Sequence, residues 1–281
     1  MKTDRLISAK LFFIFFLYCI FIPSWHASAE GSPPGSTSTL TLYFENDTFY
    51  DTDREYTHGT KISWISPDLS DYRNNPLIPA WSCPLIERVP FLNKPGYHHC
   101  VSFSLGQSIY TPEDKERSDL ITNERPYAGI TYLAVGFHSK NDRQMDTLEL
   151  DIGIVGRHSY AQDCQQTVHR WVSAADPKGW KHQLRDEPVL NAFFERKWRV
   201  LRVKSDRGFG LDVIPHIGCG AGNALTGANA GGQIRFGWNL PNDFGTFLIR
   251  PGSDSNAPMD SNDPRFFRPP PSFWCPSLLG L

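Results

Sequence analysis

The chain has 281 residues, with 28 Lys and Arg against 30 Asp and Glu, and a formal net charge of −2 at pH 7. This near-neutral balance argues against a nucleic-acid-binding protein, which normally carries a basic excess. Hydrophobic residues make up 40% of the chain, which is enough to build a core and excludes a disordered protein. The only long apolar run lies at the N-terminus, which excludes a polytopic helical membrane protein.

The N-terminus has the three parts of a secretory signal peptide. A basic start is followed by an apolar stretch over residues 11–22 and then by Ala27-Ser28-Ala29, a small-x-small cleavage pattern. The apolar stretch is short for a membrane span, which needs about 20 residues. The sequence therefore predicts a signal peptide over residues 1–29, with an uncleaved N-terminal anchor as the alternative.

Apolar and polar residues alternate through most of the remaining chain. A period of two is typical of strands with one apolar and one polar face. Eight candidate strands follow, near residues 38–46, 57–66, 99–109, 128–138, 146–155, 189–201, 207–220 and 229–239. Several exceed the about five or six residues that are usual in soluble sheets. They suit tilted transmembrane strands, which need about 9–11 residues.

Two all-β architectures share this alternation. A soluble barrel or sandwich turns the apolar face to its core, whereas a transmembrane barrel turns it to lipid and keeps a polar lumen. Alternation alone does not separate the two. The signal peptide, the strand lengths and the aromatic residues near the strand ends favour an antiparallel transmembrane β-barrel.

Residues 159–173 break the strand pattern and predict a short helix. Apolar residues recur there at spacings of three and four, and Pro177 with Gly179 ends the pattern. Gln165 and His169 are four residues apart, so they are neighbours on one side of the helix. A neutral imidazole is a natural general base for activating water, although a helical histidine is more often structural or solvated.

Oxygen-bearing side chains occur where the first two predicted strands end and begin. Glu45-Asn46-Asp47 closes the first strand, and Tyr56-Thr57-His58-Gly59 opens the second. The simpler interpretation of both is turn formation. Together they would place carboxylates, an amide and a hydroxyl at adjacent strand ends, and such oxygen ligands suit a hard cation such as calcium.

A series of short motifs occurs in a fixed order along the chain. They are Glu45-Asn46-Asp47, Asp53-Arg54-Glu55-Tyr56-Thr57-His58-Gly59, Ile109-Tyr110-Thr111-Pro112, Glu124-Arg125-Pro126-Tyr127-Ala128-Gly129, Gly153-Ile154-Val155-Gly156, Gln165 with His169-Arg170, Gly179-Trp180 with Gln183-Leu184, Asn239-Leu240-Pro241 and Asp243-Phe244-Gly245. In this order they resemble the lipid A 3′-O-deacylase (LpxR) family of Gram-negative outer membranes. The resemblance covers about residues 38 to 250.

The resemblance implies a β-barrel that has twelve strands in the family. The active site would lie between the barrel wall and a short helix in an extracellular loop, which the helix over 159–173 would supply. The implied reaction is calcium-dependent hydrolysis of the 3′ ester of lipid A, which releases the acyloxyacyl group. The mechanism would resemble that of secreted phospholipase A2, in which a histidine activates water and calcium stabilises the oxyanion.

The resemblance also implies roles for particular residues. His169 would be the general base, and Gln165 would position it or its water. Asn46, Asp47 and Thr57 would build the rest of the catalytic site. Among them, Asp47 is the expected calcium ligand.

Further residues are implied by their places next to these motifs. Lys115 and Arg117 are the nearest equivalents of a basic pair that binds substrate in the family. An acidic partner for the metal is expected after His169, and Asp176 and Glu187 are both candidates. The implied partner is lipid A or lipopolysaccharide, bound by a monomer in the outer membrane, with no role for nucleic acid.

The C-terminal part departs from the family. Residues 30–250 are expected to form the barrel, whereas 251–281 form a Pro-rich tail that is expected to be disordered. Eight strands stand where twelve are expected, so the sequence suggests a truncated or frameshifted member. The alternative function is a non-catalytic outer-membrane barrel, either a pore or a degenerate homologue, and a soluble periplasmic β-protein is a third possibility. Cys83 and Cys100 could pair in an oxidising compartment.

Overall fold

The computed structural model describes residues 38–46, 56–74, 77–172, 175–245 and 274–277. The predicted signal peptide and most of the predicted tail lie outside these described residues. Ten strands are present in the described ranges: β1 (Thr39–Asn46), β2 (His58–Ile65), β3 (His98–Tyr110), β4 (Ala128–Lys140), β5 (Gln144–Val155), β6 (Glu187–Trp198), β7 (Leu201–Lys204), β8 (Phe209–Gly222), β9 (Gly227–Trp238) and β10 (Trp274–Ser277). The same described ranges contain two α-helices, α1 (Cys83–Glu87) and α2 (Ala161–Val172).

All eight strands predicted from alternation are present, and α2 lies inside the predicted helix. Two further strands, β7 and β10, were not predicted. The strand β10 lies in the tail, for which the sequence predicts disorder, and it pairs antiparallel with β9. It contains Pro276, which lacks a backbone N–H and is tolerated in a strand that, among the described strands, has a neighbour on one side only.

The strands form one antiparallel sheet in which neighbours in sequence are neighbours in space. The order is β1-β2-β3-β4-β5-β6-β8-β9-β10, and β7 pairs with β8 beside this path. Because antiparallel neighbours are joined at alternate ends, the loops fall into two sets. The ends of β1, β3 and β5 lie at one end of the sheet, and α2 lies at this same end. The β2–β3 connection lies at the opposite end.

The sheet is curled, with its polar face buried and its apolar face exposed. Buried residues of the inner face are Lys61, Ser63, Ser104, Glu149, Asp151, Glu195, Lys197, Asp212 and Arg235. Exposed residues of the outer face are Leu40, Leu42, Phe44, Leu133, Leu150, Ile152, Leu190, Phe209, Leu211, Ile234 and Phe236. A soluble sheet would have the reverse pattern. This arrangement is that of a transmembrane barrel wall, with lipid outside and a polar interior.

Charged residues on the inner face are paired across strands. Arg235 on β9 donates to Asp212 on β8 and to Asp243, which follows β9. Lys61 on β2 approaches Glu149 on β5, with 3.8 Å between Nζ and Oε1. Pairing is expected here, because a charge buried without a partner costs several kcal/mol.

The connection between β2 and β3, residues 66–97, folds back against the outer face at the end opposite α2. We call it the β2–β3 segment. Its buried side chains form a hydrophobic cluster with outer-face residues of β3, β4 and β5; this cluster comprises Tyr72, Ile78, Cys83, Ile86, Leu92 and Val101, with Phe103, Val135, Phe137 and Leu148 packed against it. A ring contact between Phe91 and Phe194 extends the cover to β6.

Two observations complete the fold. Among the described residues, no helix is long and apolar enough to cross a membrane. Cys83 and Cys100 are both buried free cysteines, so the disulfide that the sequence allowed is not formed.

Candidate active site

The helix α2 packs on the outer face of the sheet, against β3 and β4. A small cluster joins the two, formed by Ile109, Tyr127, Ala161 and Trp180, with Cys164 beside it. Gly129 on β4 permits the contact, because a Cβ at this position would overlap the side chains of Ala161 and Ser159. The first turn of α2 is therefore held directly on the barrel wall.

Hydrogen bonds fix the turn that precedes α2. The carbonyl oxygen of Ser159 accepts from Gln107 Nε2 at 2.7 Å and from Thr131 Oγ1 at 2.8 Å. Gly156 turns the chain here with a φ of 105°, in a region that disfavours side chains. Side chains of β3 and β4 thus fix the start of α2, and these hydrogen bonds do not involve the exposed face of the helix.

Gln165 is buried on α2 and its amide is oriented. Trp180 Nε1 donates to Gln165 Oε1 at 2.8 Å. An indole nitrogen only donates, so the oxygen of the amide must face Trp180 and the amide nitrogen must face away. Within the described ranges, Gln165 Nε2 is buried and has no hydrogen-bond partner. The site therefore contains a buried N–H donor that none of the described residues accepts from.

His169 follows Gln165 by about one turn, and its tautomer is fixed. His169 Nδ1 lies 2.6 Å from the carbonyl oxygen of Ala175. A carbonyl only accepts, so Nδ1 carries the proton and donates it. The neutral ring then has a bare Nε2, which is the atom that a general base needs.

The neighbouring thiol does not compete for this role. Cys164 precedes Gln165 on α2 and packs beside the small cluster. Burial raises the pKa of the Cys164 thiol to about 11. The thiol is therefore protonated near neutral pH, and thiolate is the nucleophilic form of cysteine.

Asn46 belongs to a row of residues that leads across the wall to α2. Asn46 pairs with His58, His58 with Ile109, and Ile109 with Gly129. Neighbouring strands are about 4.8 Å apart, so the row extends about 14 Å from Asn46 to the strand that contacts α2. Ile109 and Gly129 both touch the helix region, which places the end of β1 on the same side of the wall as His169.

Thr57 immediately precedes β2 and is buried. Its backbone N–H donates to the carbonyl of Ile109 at 2.9 Å, and its Oγ1 lies 2.6 Å from Thr111 Oγ1. Nearby, Tyr56 donates its hydroxyl proton to Glu45 Oε2 at 2.6 Å. Thr57 is thus fixed next to Ile109, a residue of the cluster under α2.

The predicted basic pair lies in the loop between β3 and β4. The carbonyl of Lys115 accepts from the backbone N–H of Lys178 at 2.9 Å, so the loop lies against the segment that follows α2. Arg117 binds Asp119, with Nε donating to Oδ1 at 3.1 Å. The hydrogen bond from Arg117 lowers the pKa of Asp119 to about 2. Arg117 is therefore engaged by a neighbouring carboxylate.

The predicted metal ligands are incompletely placed. Asp47 lies outside the described residues, and for Asn46 the structure describes the backbone alone. Asp176 directly follows the residue that binds His169, whereas Glu187 opens β6, and both are exposed. Within the described ranges, no three His, Cys, Asp or Glu side chains form a group that could hold a metal ion. Oxygen donors at this end of β1 and β2, including the buried hydroxyls of Thr57 and Thr111, have the chemistry that a hard cation accepts.

Three contributions to the site were not assigned by sequence reasoning. They are the indole of Trp180, the carbonyl of Ala175 and the small size of Gly129. Trp180 and Gly129 occur within motifs of the family resemblance, which gave them no role. A carbonyl leaves no mark in the sequence, so Ala175 could not have been found in this way.

A comparison with known protein families identifies the family of this chain. The model of the family described as outer membrane protein LpxR matches residues 11–268. The chain belongs to this family. The match includes all the elements of the candidate site. No curated protein matches the chain.

A solved member of the family has a similar fold. The structure described as LpxR from Salmonella typhimurium is similar to this chain with a TM-score of 0.55 and 17% sequence identity. The similarity covers 72% of this chain and 64% of that chain. At this identity the likeness shows the fold, and this chain spans about 64% of the length of the solved LpxR protein.

Proposed function

We propose that this chain is an outer-membrane hydrolase that removes the 3′-acyloxyacyl group of lipid A. The observation that carries the proposal is the pair on α2, held against the apolar outer wall. There His169 has a fixed tautomer, and Gln165 offers a buried N–H to which no described residue binds. Membership of the LpxR family supports lipid A as the substrate. We further propose that the protein is exported with cleavage after Ala29 and that it is a monomer.

The reaction is ester hydrolysis by an activated water. His169 Nε2 accepts a proton from water, and the water oxygen attacks the acyl carbonyl carbon. The carbon–oxygen bond to the sugar then breaks, and the imidazolium returns its proton to the departing sugar oxygen. The amide N–H of Gln165 holds either the attacking water or the developing oxyanion. The bond from His169 Nδ1 to Ala175 keeps the ring oriented through both proton transfers.

Calcium is proposed as the cofactor of this site. Asp47 would be its carboxylate ligand, with Asn46 and Thr57 as further oxygen donors near the same strand ends. When bound, a divalent cation supplies positive charge that stabilises an oxyanion. The proposal is supported by the oxygen-donor chemistry at the ends of β1 and β2.

The location of α2 suits a substrate that stays in the membrane. Below the helix, the outer wall exposes Leu133 and Ile152, against which acyl chains can lie. Lipid A could then reach His169 by lateral movement, without leaving the bilayer. Lys115 and Arg117, in the loop beside α2, are proposed to bind its phosphate groups.

The test uses the full mature chain refolded in detergent, with purified lipid A in mixed micelles. Mass spectrometry should detect loss of the acyloxyacyl group, and a calcium chelator should abolish it. Removing a general base typically costs 10²–10⁴-fold in rate, so His169→Ala should reduce turnover by at least about 100-fold.

A matched control is His158→Ala, in the turn before α2. The His158 side chain is exposed and bound to Asp186, and it has no part in the proposed reaction, so this variant should retain activity. A folded barrel that leaves lipid A intact with His169 present would instead support the non-catalytic alternative. Equal activity of wild type and His169→Ala would contradict the mechanism.

A further inference from the structure

The β2–β3 segment presents large apolar side chains to the outside of the barrel. Leu77, Trp81 and Leu85 are 56%, 74% and 54% exposed. They are spaced four residues apart, and two of them lie in the helical run formed by Ala80–Ser82 and α1. Ile78, which precedes the run, and Cys83 and Ile86 within it point the other way into the cluster on the wall. The run is therefore apolar on both sides.

The inner side of this segment is well anchored. Lys94 Nζ donates to Asp146 Oδ2 at 2.8 Å, and Arg196 Nε donates to Asp146 Oδ1 at 2.5 Å. Asp146 is fully buried by these contacts. Because the segment is tied to β5 by an ion pair and a hydrophobic cluster, its exposed apolar side is a fixed feature of the wall.

The height of the barrel wall indicates what contacts the exposed apolar side of the β2–β3 segment. On β4, α2 contacts Gly129, and the β2–β3 segment covers Val135 and Phe137. Val135 is six positions after Gly129 in the strand. The distance between them is therefore roughly 20 Å along the strand and about 15 Å in height at the usual tilt. The apolar band of an outer-membrane barrel is about 25 Å tall. The hydrocarbon layer must therefore extend over one or both covers.

The exposed apolar band spans a greater height on β8 than on β4. On β8, exposed outer-face residues occur from Phe209 to Ile217, which is roughly 26 Å along the strand and about 20 Å of height at the same tilt. On β4, which is described throughout, Leu133 is the exposed large apolar residue of the outer face. The stripe of Leu77, Trp81 and Leu85 thus replaces the wall side chains that the segment hides, and it continues the lipid-facing surface.

We propose that Leu77, Trp81 and Leu85 insert among phospholipid acyl chains, in the leaflet at the end of the barrel opposite α2. The β2–β3 segment is then a membrane-anchoring element built on the outside of the barrel. Trp81 suits this place, because tryptophan is enriched at membrane interfaces. Arg88 is exposed just after α1, and in this arrangement it would be available to phospholipid headgroups.

Fluorescence quenching tests the proposal in the intact protein. The full chain is reconstituted in vesicles whose phosphatidylcholine carries bromine on the acyl chains, and the Trp81 signal is the difference between wild type and Trp81→Phe. We expect bromine to quench this signal and aqueous iodide to leave it unchanged. Trp238→Phe provides the reference, because Trp238 lies on the outer face of β9.

Loss of signal to brominated lipid is the deciding result. If bromine does not quench Trp81, the proposal is wrong: quenching by iodide would place Trp81 in water, and resistance to both would place it under another protein surface. A second reporter, Leu85→Trp in the Trp81→Phe background, should respond as Trp81 does. Both positions are exposed, so neither change removes a buried contact.

Discussion

The outer wall of the barrel has two covers that differ in what they show to the outside. The helix α2 sits on a small cluster and on hydrogen bonds from Gln107 and Thr131, and its functional groups are polar. The β2–β3 segment sits on a larger hydrophobic cluster and on the ion pair of Lys94, and its exposed side is apolar. The same apolar outer face thus carries one element with polar functional groups and one element with an apolar exposed side.

The difference follows from what each cover must do. For the catalytic role that we propose, α2 needs an accurate position, which it obtains from backbone contacts at Gly129 and Ser159 rather than from buried area. An anchoring element needs adhesion on both sides, which the β2–β3 segment obtains from apolar residues on both sides of one short helical run. We therefore expect substitutions under α2 to affect turnover, and substitutions under the β2–β3 segment to affect local stability.

The largest expected effect is at Asp146. Asp146→Asn leaves Lys94 and Arg196 without their carboxylate. Breaking a buried pair costs about 3–5 kcal/mol, and both partners are partly exposed, so we expect about 3 kcal/mol from the lower end of this range. Hydrogen exchange, followed by mass spectrometry, should show faster local opening of the β2–β3 segment.

An exposed pair in the same segment is the control for Asp146. Asp71 binds Arg73 at the surface, and the hydrogen bond from Arg73 lowers the pKa of Asp71. Exposed pairs contribute little, so Asp71→Asn should leave the exchange rates nearly unchanged. Deacylase activity should survive both substitutions. Equal exchange rates in the two variants would show that Asp146 does not hold the segment.

The next effect in size is at Gly129, under α2. In Gly129→Val the new side chain overlaps Ala161 and Ser159 and must displace the helix. A misplacement of about 1 Å can reduce a rate by about 100-fold, so turnover should fall by about that factor. Heat-modifiable migration on gels should still show a folded barrel, because the strand pairs of β3 and β4 are kept.

Gly232→Ala is the matched glycine control. Gly232 lies on β9, where the nearest atom to a new Cβ is 3.4 Å away, so an added methyl group fits. We expect normal turnover from this variant. Full activity of Gly129→Val would mean that the position of α2 does not set the rate.

Most of the secondary structure could be predicted from local pattern. Alternation marks all eight long strands, because each strand has one face in lipid and one in the polar interior. Apolar residues at spacings of three and four over residues 159–173 likewise predict α2, because one side of the helix packs on the wall. The short strands β7 and β10, of four residues each, are too brief for a pattern to identify them.

The parts that could not be predicted depend on distant contacts. Alternation does not say which face is buried, and burial of Lys61 and Glu149 is visible only after the sheet curls. The covering of the wall by residues 66–97 depends on side chains such as Tyr72 and Phe91 meeting β4 and β6 far along the chain. Likewise, the orientation of Gln165 needs Trp180, which lies on the other side of a turn.

The smallest expected effect is at Asp119, in the loop beside α2. The pKa of Asp119 is lowered to about 2, first by the hydrogen bond from Arg117. The pair is therefore complete above the ordinary carboxyl pKa and is lost only as the pH falls through about 2. Between pH 5 and 8 the carboxylate stays charged, so pH alone does not release Arg117, whereas Asp119→Asn does.

If Arg117 binds a phosphate of lipid A, Asp119→Asn should lower KM slightly and leave kcat unchanged. The shift should be largest at low ionic strength, because salt screens exposed charges. Steady-state kinetics at two salt concentrations measure it, with Asp114→Asn as the control in the same loop. An unchanged or higher KM would remove Arg117 from substrate binding and leave Lys115 as the basic residue that this loop provides. Either result leaves the catalytic role proposed for α2 intact, because that role rests on His169 and Gln165.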